Sequence, residues 1–377
     1  MLGTTLPTPL YPLYADHMHF AVFTTTVIYA TYACGVLFAL LVFGRWSDAL
    51  GRRPVLAAGL VLALASAVVF LLADSVPVLL IGRVLSGLSA GLFTGTATAA
   101  VIEAAPAKWH GRAAAVATAA NIGGLGVGPL LAGLLVQYAP NPLQLSFIVH
   151  IVLTVLAGVA VLMVPETSQR SGTISFQRLS VPAEVRSWFA IAGLAAFAGF
   201  AVTGLFTSVA PTFLADAVGI DNHAVAGLVV GSIFVASAGA QIAARGMNAQ
   251  RAVAIGCAIL VVGMVILAVT LRLSSLAGLI TAAVVAGIGQ GISFSRGLAA
   301  IAERTPPGRR AEVSSAYFVI AYVALSLPVV GEGLAARDWG LQTAGMSFAV
   351  VVAVLATICL IAILVREARQ TRGAVAA

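Results

Sequence analysis

Eighteen residues, Val55–Leu72, read VLAAGLVLALASAVVFLL without one charge, and Leu341–Val365 continues the same way for twenty-five. Runs of this length can cross the hydrocarbon of a bilayer as helices. In lipid every backbone N–H and C=O must be satisfied within the protein, which leaves only helices or a closed barrel. The runs are continuous and show no period-two alternation, so helices are expected. Further runs fall at Val22–Phe43, Val78–Ile102, Ala113–Val136 and Leu145–Val164, then at Trp188–Leu214, Val225–Ala244, Ala252–Leu271, Leu276–Ile301 and Val313–Val330. Five spans, a polar stretch and six spans follow one another. The polar stretch, Pro165–Arg186, is the expected linker between bundles at 1–164 and 187–377. Residues 1–14, MLGTTLPTPLYPLY, read as the outer half of a first span whose inner half is absent. The predicted fold class is an all-α polytopic membrane protein of two pseudo-symmetric six-helix bundles, the first helix truncated.

Composition agrees. Charged residues make up 9% and hydrophobic ones 60%, with mean hydropathy +1.06, whereas soluble domains carry about 25% charge. The net charge of +7 raises the question of nucleic acid, but the positions of the basic residues argue for topology instead. Assigning loops alternately puts 16 of the 20 Lys and Arg on one side, among them Arg45, Arg52, Arg53, Lys108, Arg112, Arg170, Arg309 and Arg372. Basic residues gather on the cytoplasmic side of short loops. An integral, multi-pass plasma-membrane protein with a cytoplasmic linker and C-terminus is therefore expected. Cys34, Cys257 and Cys359 all fall inside apolar runs and read as small buried side chains. No nucleophile elbow, HExxH, phosphate-cradling loop or Cys/His cluster occurs, so no enzyme, nucleotide, metal or cofactor is expected.

The two halves repeat. Glu103 and Pro106 recur 200 residues later as Glu303 and Pro306, and Gly87 and Gly91 recur as Gly287 and Gly291. Pro129 and Gly133 find Pro328 and Gly333. Parallel repeats of this kind build many secondary transporters, with substrate bound at the repeat interface.

Scarce charges concentrate at GRWSDALGRRPV, residues 44–55, between the second and third spans. Gly44 and Gly51 allow the chain to reverse, Pro54 suits a first helical turn, and Asp48 can cap the following helix. This stretch resembles the G-x-x-x-D-x-x-G-R-R/K loop of the major facilitator superfamily, at the place that family has it. By that resemblance Gly44, Asp48, Gly51, Arg52 and Arg53 form a cytoplasmic gate. The matching loop of the second half keeps Arg245, Gly246 and Arg251 but has no Asp. Glu103 and Arg112, at the inner end of the fourth span, are expected to contribute gate ion pairs.

Arg83 lies inside the fourth span, four and eight residues before Gly87 and Gly91. A charge this deep should face a cavity or a partner, and the two glycines permit close helix packing. The Arg-x-x-x-Gly pattern resembles a family element tied to proton coupling. Gly124, Gly128, Pro129 and Gly133 resemble an element of the family's antiporter branches, with Pro129 kinking its helix.

A coupling carboxylate must be able to become neutral, and Asp16, ahead of Glu332, is the expected one. Tyr29, Tyr32, Asn121, Gln241, Gln290 and Arg296 are polar groups inside spans and candidates for a substrate cavity. The resemblance implies secondary transport, favouring proton-coupled efflux of small amphiphilic compounds by a monomer that uses neither nucleotide nor cofactor. An importer or facilitator on the same fold, or a non-transporting receptor, remains open from sequence.

Overall fold

The computed structural model describes residues 1–168, 170 and 174–376. Residues 169 and 171–173 of the linker, and the side chain of Arg372, lie outside what is described. Among the described residues the regular structure is all helical, apart from the extended linker between Val164 and Pro182, and eleven helices are long and apolar enough to span a membrane.

The first bundle contains α1 (Leu2–Thr5), α2 (Tyr11–Met18), α3 (Val22–Phe43), α4 (Trp46–Leu50), α5 (Arg52–Leu71), α6 (Val76–Ala104), α7 (His110–Tyr138) and α8 (Pro142–Met163). The second contains α9 (Arg186–Ser208), α10 (Ala210–Asp216), α11 (His223–Ala243), α12 (Ala249–Leu273), α13 (Leu276–Arg304), α14 (Arg310–Trp339) and α15 (Leu341–Ala376). Ten of the eleven expected spans are single helices, generally longer than their apolar runs. The expected seventh span, Trp188–Leu214, is instead broken between α9 and α10. Pro211 can donate no backbone hydrogen bond there, and the Ser208 hydroxyl bonds the Gly204 carbonyl oxygen at 2.8 Å. Both loosen the helical ladder at the break.

Because lipid tails are as apolar as the side chains, helices in a membrane associate by close packing and interhelical hydrogen bonds. Ser66 donates to the Gly82 carbonyl at 2.8 Å and Ser89 to that of Gly59 at 2.7 Å, joining α5 to α6. A side chain at Gly87 or Gly91 would strike the α3 backbone at Tyr32 and Val36. Gly287 and Gly291 stand in the same relation to α11, at Ile233 and Ser237. The 200-residue repeat of the sequence is thus a repeat of helix contacts.

The bundles meet through α7 with α11 and α3 with α14. Gly133 of α7 packs against the backbone of His223 and Ala224, while Gly333 of α14 packs against Thr26 of α3. The short N-terminal segment packs against α6 and α7 of the first bundle and reaches α10 and α11 of the second: Thr5 donates to the Leu125 carbonyl at 2.7 Å, and Gly128 accommodates the Leu2 backbone.

Candidate functional site

Between the bundles lies a cavity of about 370 Å³. Tyr29, Tyr32, Asn121, Gln241 and Gln290 line it, as the sequence suggested. Arg296 does not: it follows Gly289 and Ser293 on the face of α13 that packs against α12. Sequence reasoning missed the aromatic wall of Phe200, Phe234, Phe294, Phe318 and Tyr322, because an aromatic in an apolar run looks the same whether it faces lipid, core or cavity. Hydroxyls and amides interrupt the wall. Ser237 bonds Gln290 Oε1 at 2.6 Å and accepts from Gln241 Nε2 at 3.2 Å. Among the described residues that line it, none has a charged side chain.

The cavity is closed at the end away from the basic loops. There the hydroxyls of Tyr29 and Thr207 are hydrogen bonded at 2.7 Å, and the His223 N–H donates to Gln137 Oε1 at 2.9 Å, each joining one bundle to the other. Toward the basic end Thr94, Thr98, Ser295 and Leu298 line it, and beyond them Val101, Ile102 and Val116 are exposed.

Arg83 sits behind the cavity wall and is fully buried. Its Nη1 donates to the Thr4 carbonyl oxygen at 2.7 Å. Its Cζ lies 5.5, 5.6 and 5.5 Å from the ring centres of Tyr11, Tyr29 and Tyr32. Nε and Nη2 find no acceptor among the described residues. The guanidinium is therefore held by three aromatic faces, an arrangement that attracts a cation without a counter-charge.

The loop at residues 44–55 is more ordered than a simple turn, since α4 occupies its centre. Arg52 bridges two acids: Nη1 reaches Asp48 Oδ1 at 2.6 Å, and Nη2 reaches Glu103 Oε1 at 2.9 Å. Asp48 is thereby engaged with Arg52 and does not cap α5. The cap comes from the linker, a contribution no local pattern reveals. Glu166 accepts the backbone N–H groups of Arg52 at 2.8 Å and Arg53 at 3.2 Å. Gly51 has φ +109°, and a side chain there would strike the Glu166 carboxylate. The linker is pinned again where the Gln177 N–H donates to the Leu41 carbonyl at 2.8 Å. Arg112 is exposed and joins no ion pair among the described residues. In the second bundle Asn248, 200 residues after Asp48, caps α12 through the N–H groups of Gln250 and Arg251.

The two coupling candidates are placed apart. Asp16 lies in the last turn of α2 and is exposed. Glu332 is only 4% exposed, and neither carboxylate oxygen has a partner among the described residues. It lies outside the central cavity, in an apolar pocket walled by Leu205, Phe206, Val209, Phe213, Leu267 and Leu271, beside the α9–α10 break.

Residues 1–327 match the family model of the Major Facilitator Superfamily. Two curated relatives are partial matches. Multidrug resistance protein 2 of Bacillus subtilis (strain 168) is 28% identical over 137 residues, 36% of this chain and 34% of that protein. The class D tetracycline resistance protein of Salmonella ordonez is 35% identical over 133 residues, 34% of this chain and 31% of that protein. The matched region thus spans about a third of either relative. Among solved structures, the human organic anion transporter MFSD10 (TETRAN) superposes with a TM-score of 0.68 at 16% identity, covering 96% of this chain and 95% of that one, a likeness of fold. Two repeated bundles about a central cavity, the charged loop after the second span and the family match over most of the chain converge: this chain belongs to the Major Facilitator Superfamily.

Proposed function

We propose that the protein exports small amphiphilic compounds by alternating access, in exchange for protons, with its basic face toward the cytoplasm of a cell whose plasma membrane it spans. The observation that carries this reading is the lining of the central cavity. Aromatic walls broken by Ser237, Gln241, Gln290 and Asn121, with no charged side chain among the described lining residues, suit a molecule with an apolar body and a few hydrogen-bonding groups. Arg83 and Arg296 are not among the lining residues, which favours an amphiphile over a small anion. The drug-resistance relatives support efflux.

A monomer contains the whole cavity, and the energy source on this reading is the proton gradient. Glu332 is the better coupling group than Asp16. A carboxylate enclosed among apolar side chains without a partner is where gaining or losing a proton changes the local energy most, and Glu332 adjoins the break in the helix that closes the far end.

Proteoliposomes loaded with a fluorescent amphiphilic dye test both parts. With an imposed pH gradient the dye moves against its own gradient, and an uncoupler abolishes the movement. Glu332→Gln loses this uphill transport at least ten-fold while downhill dye exchange continues. Dye transport that ignores the pH gradient removes the proton coupling. Coupled transport that survives in Glu332→Gln removes the residue assignment.

A further inference from the structure

The basic ends of the two bundles balance charge in opposite ways. In the first, one guanidinium, Arg52, is shared by two carboxylates, Asp48 and Glu103. In the second, two guanidiniums share one indole. Trp188, only 3% exposed at the start of α9, has Arg304 Cζ 4.6 Å and Arg366 Cζ 4.9 Å from its ring centre. Arg304 ends α13 and Arg366 lies in the C-terminal part of α15, so with Trp188 on α9 three helices converge at this point.

Neither arginine has a carboxylate partner among the described residues. Arg304 Nη1 donates to the Ala300 carbonyl oxygen at 2.8 Å, and Arg366 Nη1 donates to Ser187 Oγ at 2.9 Å. Of the acids adjacent in sequence, Glu367 reaches Arg251 at 3.9 Å, and Glu303 is exposed. The indole attracts both cations, but it supplies no negative charge. Arg304 is exposed and Arg366 half-buried, so water screens part of the repulsion between these like charges, and a bound anion would offset the rest.

The surroundings say which anion. The site lies where the spans emerge on the basic side. Below Arg366, Ile358, Ile361, Leu364 and Val365 are between 45% and 54% exposed on α15. This strip runs along the helix into the membrane about a third of a turn round α15 from Arg366, which shares its face with the buried Cys359 and Ile363. A phosphodiester suits a guanidinium fork, which offers parallel N–H donors, and acyl chains suit the strip. We propose that Arg304, Arg366 and Trp188 form a binding site for the headgroup of an anionic phospholipid from the leaflet on the basic side. The bound lipid ties together the ends of α9, α13 and α15. This site is separate from the central cavity and independent of which compound is transported.

Native mass spectrometry of the full chain, with phosphatidylglycerol and phosphatidylcholine as probes, tests the assignment. Wild type retains phosphatidylglycerol in preference to phosphatidylcholine. The double variant Arg304→Gln/Arg366→Gln binds phosphatidylglycerol roughly thirty-fold more weakly, the effect of two basic contacts to an anionic lipid. A control, Arg178→Gln/Arg245→Gln, removes the same charge from exposed positions and keeps wild-type affinity. Equal weakening in both double variants would mean that only net charge matters, and would overturn the site. Full displacement of the lipid by millimolar inorganic phosphate would make it a soluble-anion site and overturn the lipid assignment. Absence of any preference between the two lipids would do the same.

Discussion

Glu166 Oε1 accepts the backbone N–H of Arg52 at 2.8 Å, although the two residues are 114 positions apart. A linker carboxylate thus occupies the positive end of a spanning helix whose own N-cap residue, Gly51, has no side chain to offer. Desolvation works to raise the pKa of Glu166. The N–H groups of Ser168, Arg52, Arg53 and Thr167 favour the charged form, and the net effect is a value below the ordinary 4.5. A carboxyl depressed in the folded state contributes stability that is complete above its unfolded value and disappears as pH falls through the folded one.

Glu166→Gln is therefore expected to cost about 1 kcal/mol at pH 7. The gap from wild type should close as the pH is taken below the ordinary carboxylate value. Thermal melts in nanodiscs across that range measure it, and a gap that stays constant with pH would contradict the capping role. Gly51→Ala should cost more, on the order of 2 kcal/mol or above, because it combines a positive φ with a clash against the same carboxylate.

Arg52 and Asp48 should behave differently. Asp48→Asn leaves Arg52 its bond to Glu103, so the protein folds, while dye transport falls at least five-fold through loss of the gate pair. Arg52→Gln strands both carboxylates, and should lower transport and stability together. Wild-type transport by purified Asp48→Asn would remove the loop from the gate.

Arg83→Met should separate stability from function. Cation–π contacts at partly desolvated sites are worth about 0.5 to 2 kcal/mol each, and burying a lone charge costs several kcal/mol. With these terms opposed, the melting temperature is expected to stay level or rise while transport is lost. A collapse in stability would show that the three tyrosines outweigh the burial cost.

Tyr29→Phe removes a bond that joins the bundles at the closed end of the cavity. Loss of about 1 kcal/mol changes the ratio of inward- to outward-open molecules roughly five-fold. Distance measurements between spin labels on Ala21 and Asp221 should detect a larger population separated at the far face. An unchanged distribution would mean that the α7–α11 contacts alone hold that end shut.

Sequence by itself determined the helical membrane architecture, the duplication and the location of the charged loop. The reason is that lipid leaves the backbone few choices: an uncharged run of some twenty residues must form a helix, and glycines repeated at one offset must pack in one way. Five of the six cavity candidates were legible for a related reason, since a polar group inside a span needs a polar setting. Arg296 escaped that logic because polarity does not say which face of α13 it occupies. Tertiary structure alone decided that Glu166 rather than Asp48 caps α5, and that Glu332 sits in an apolar pocket away from the central cavity. These depend on which residues distant in sequence are brought together, and charge patterns along one chain do not encode the approach of one helix end to another.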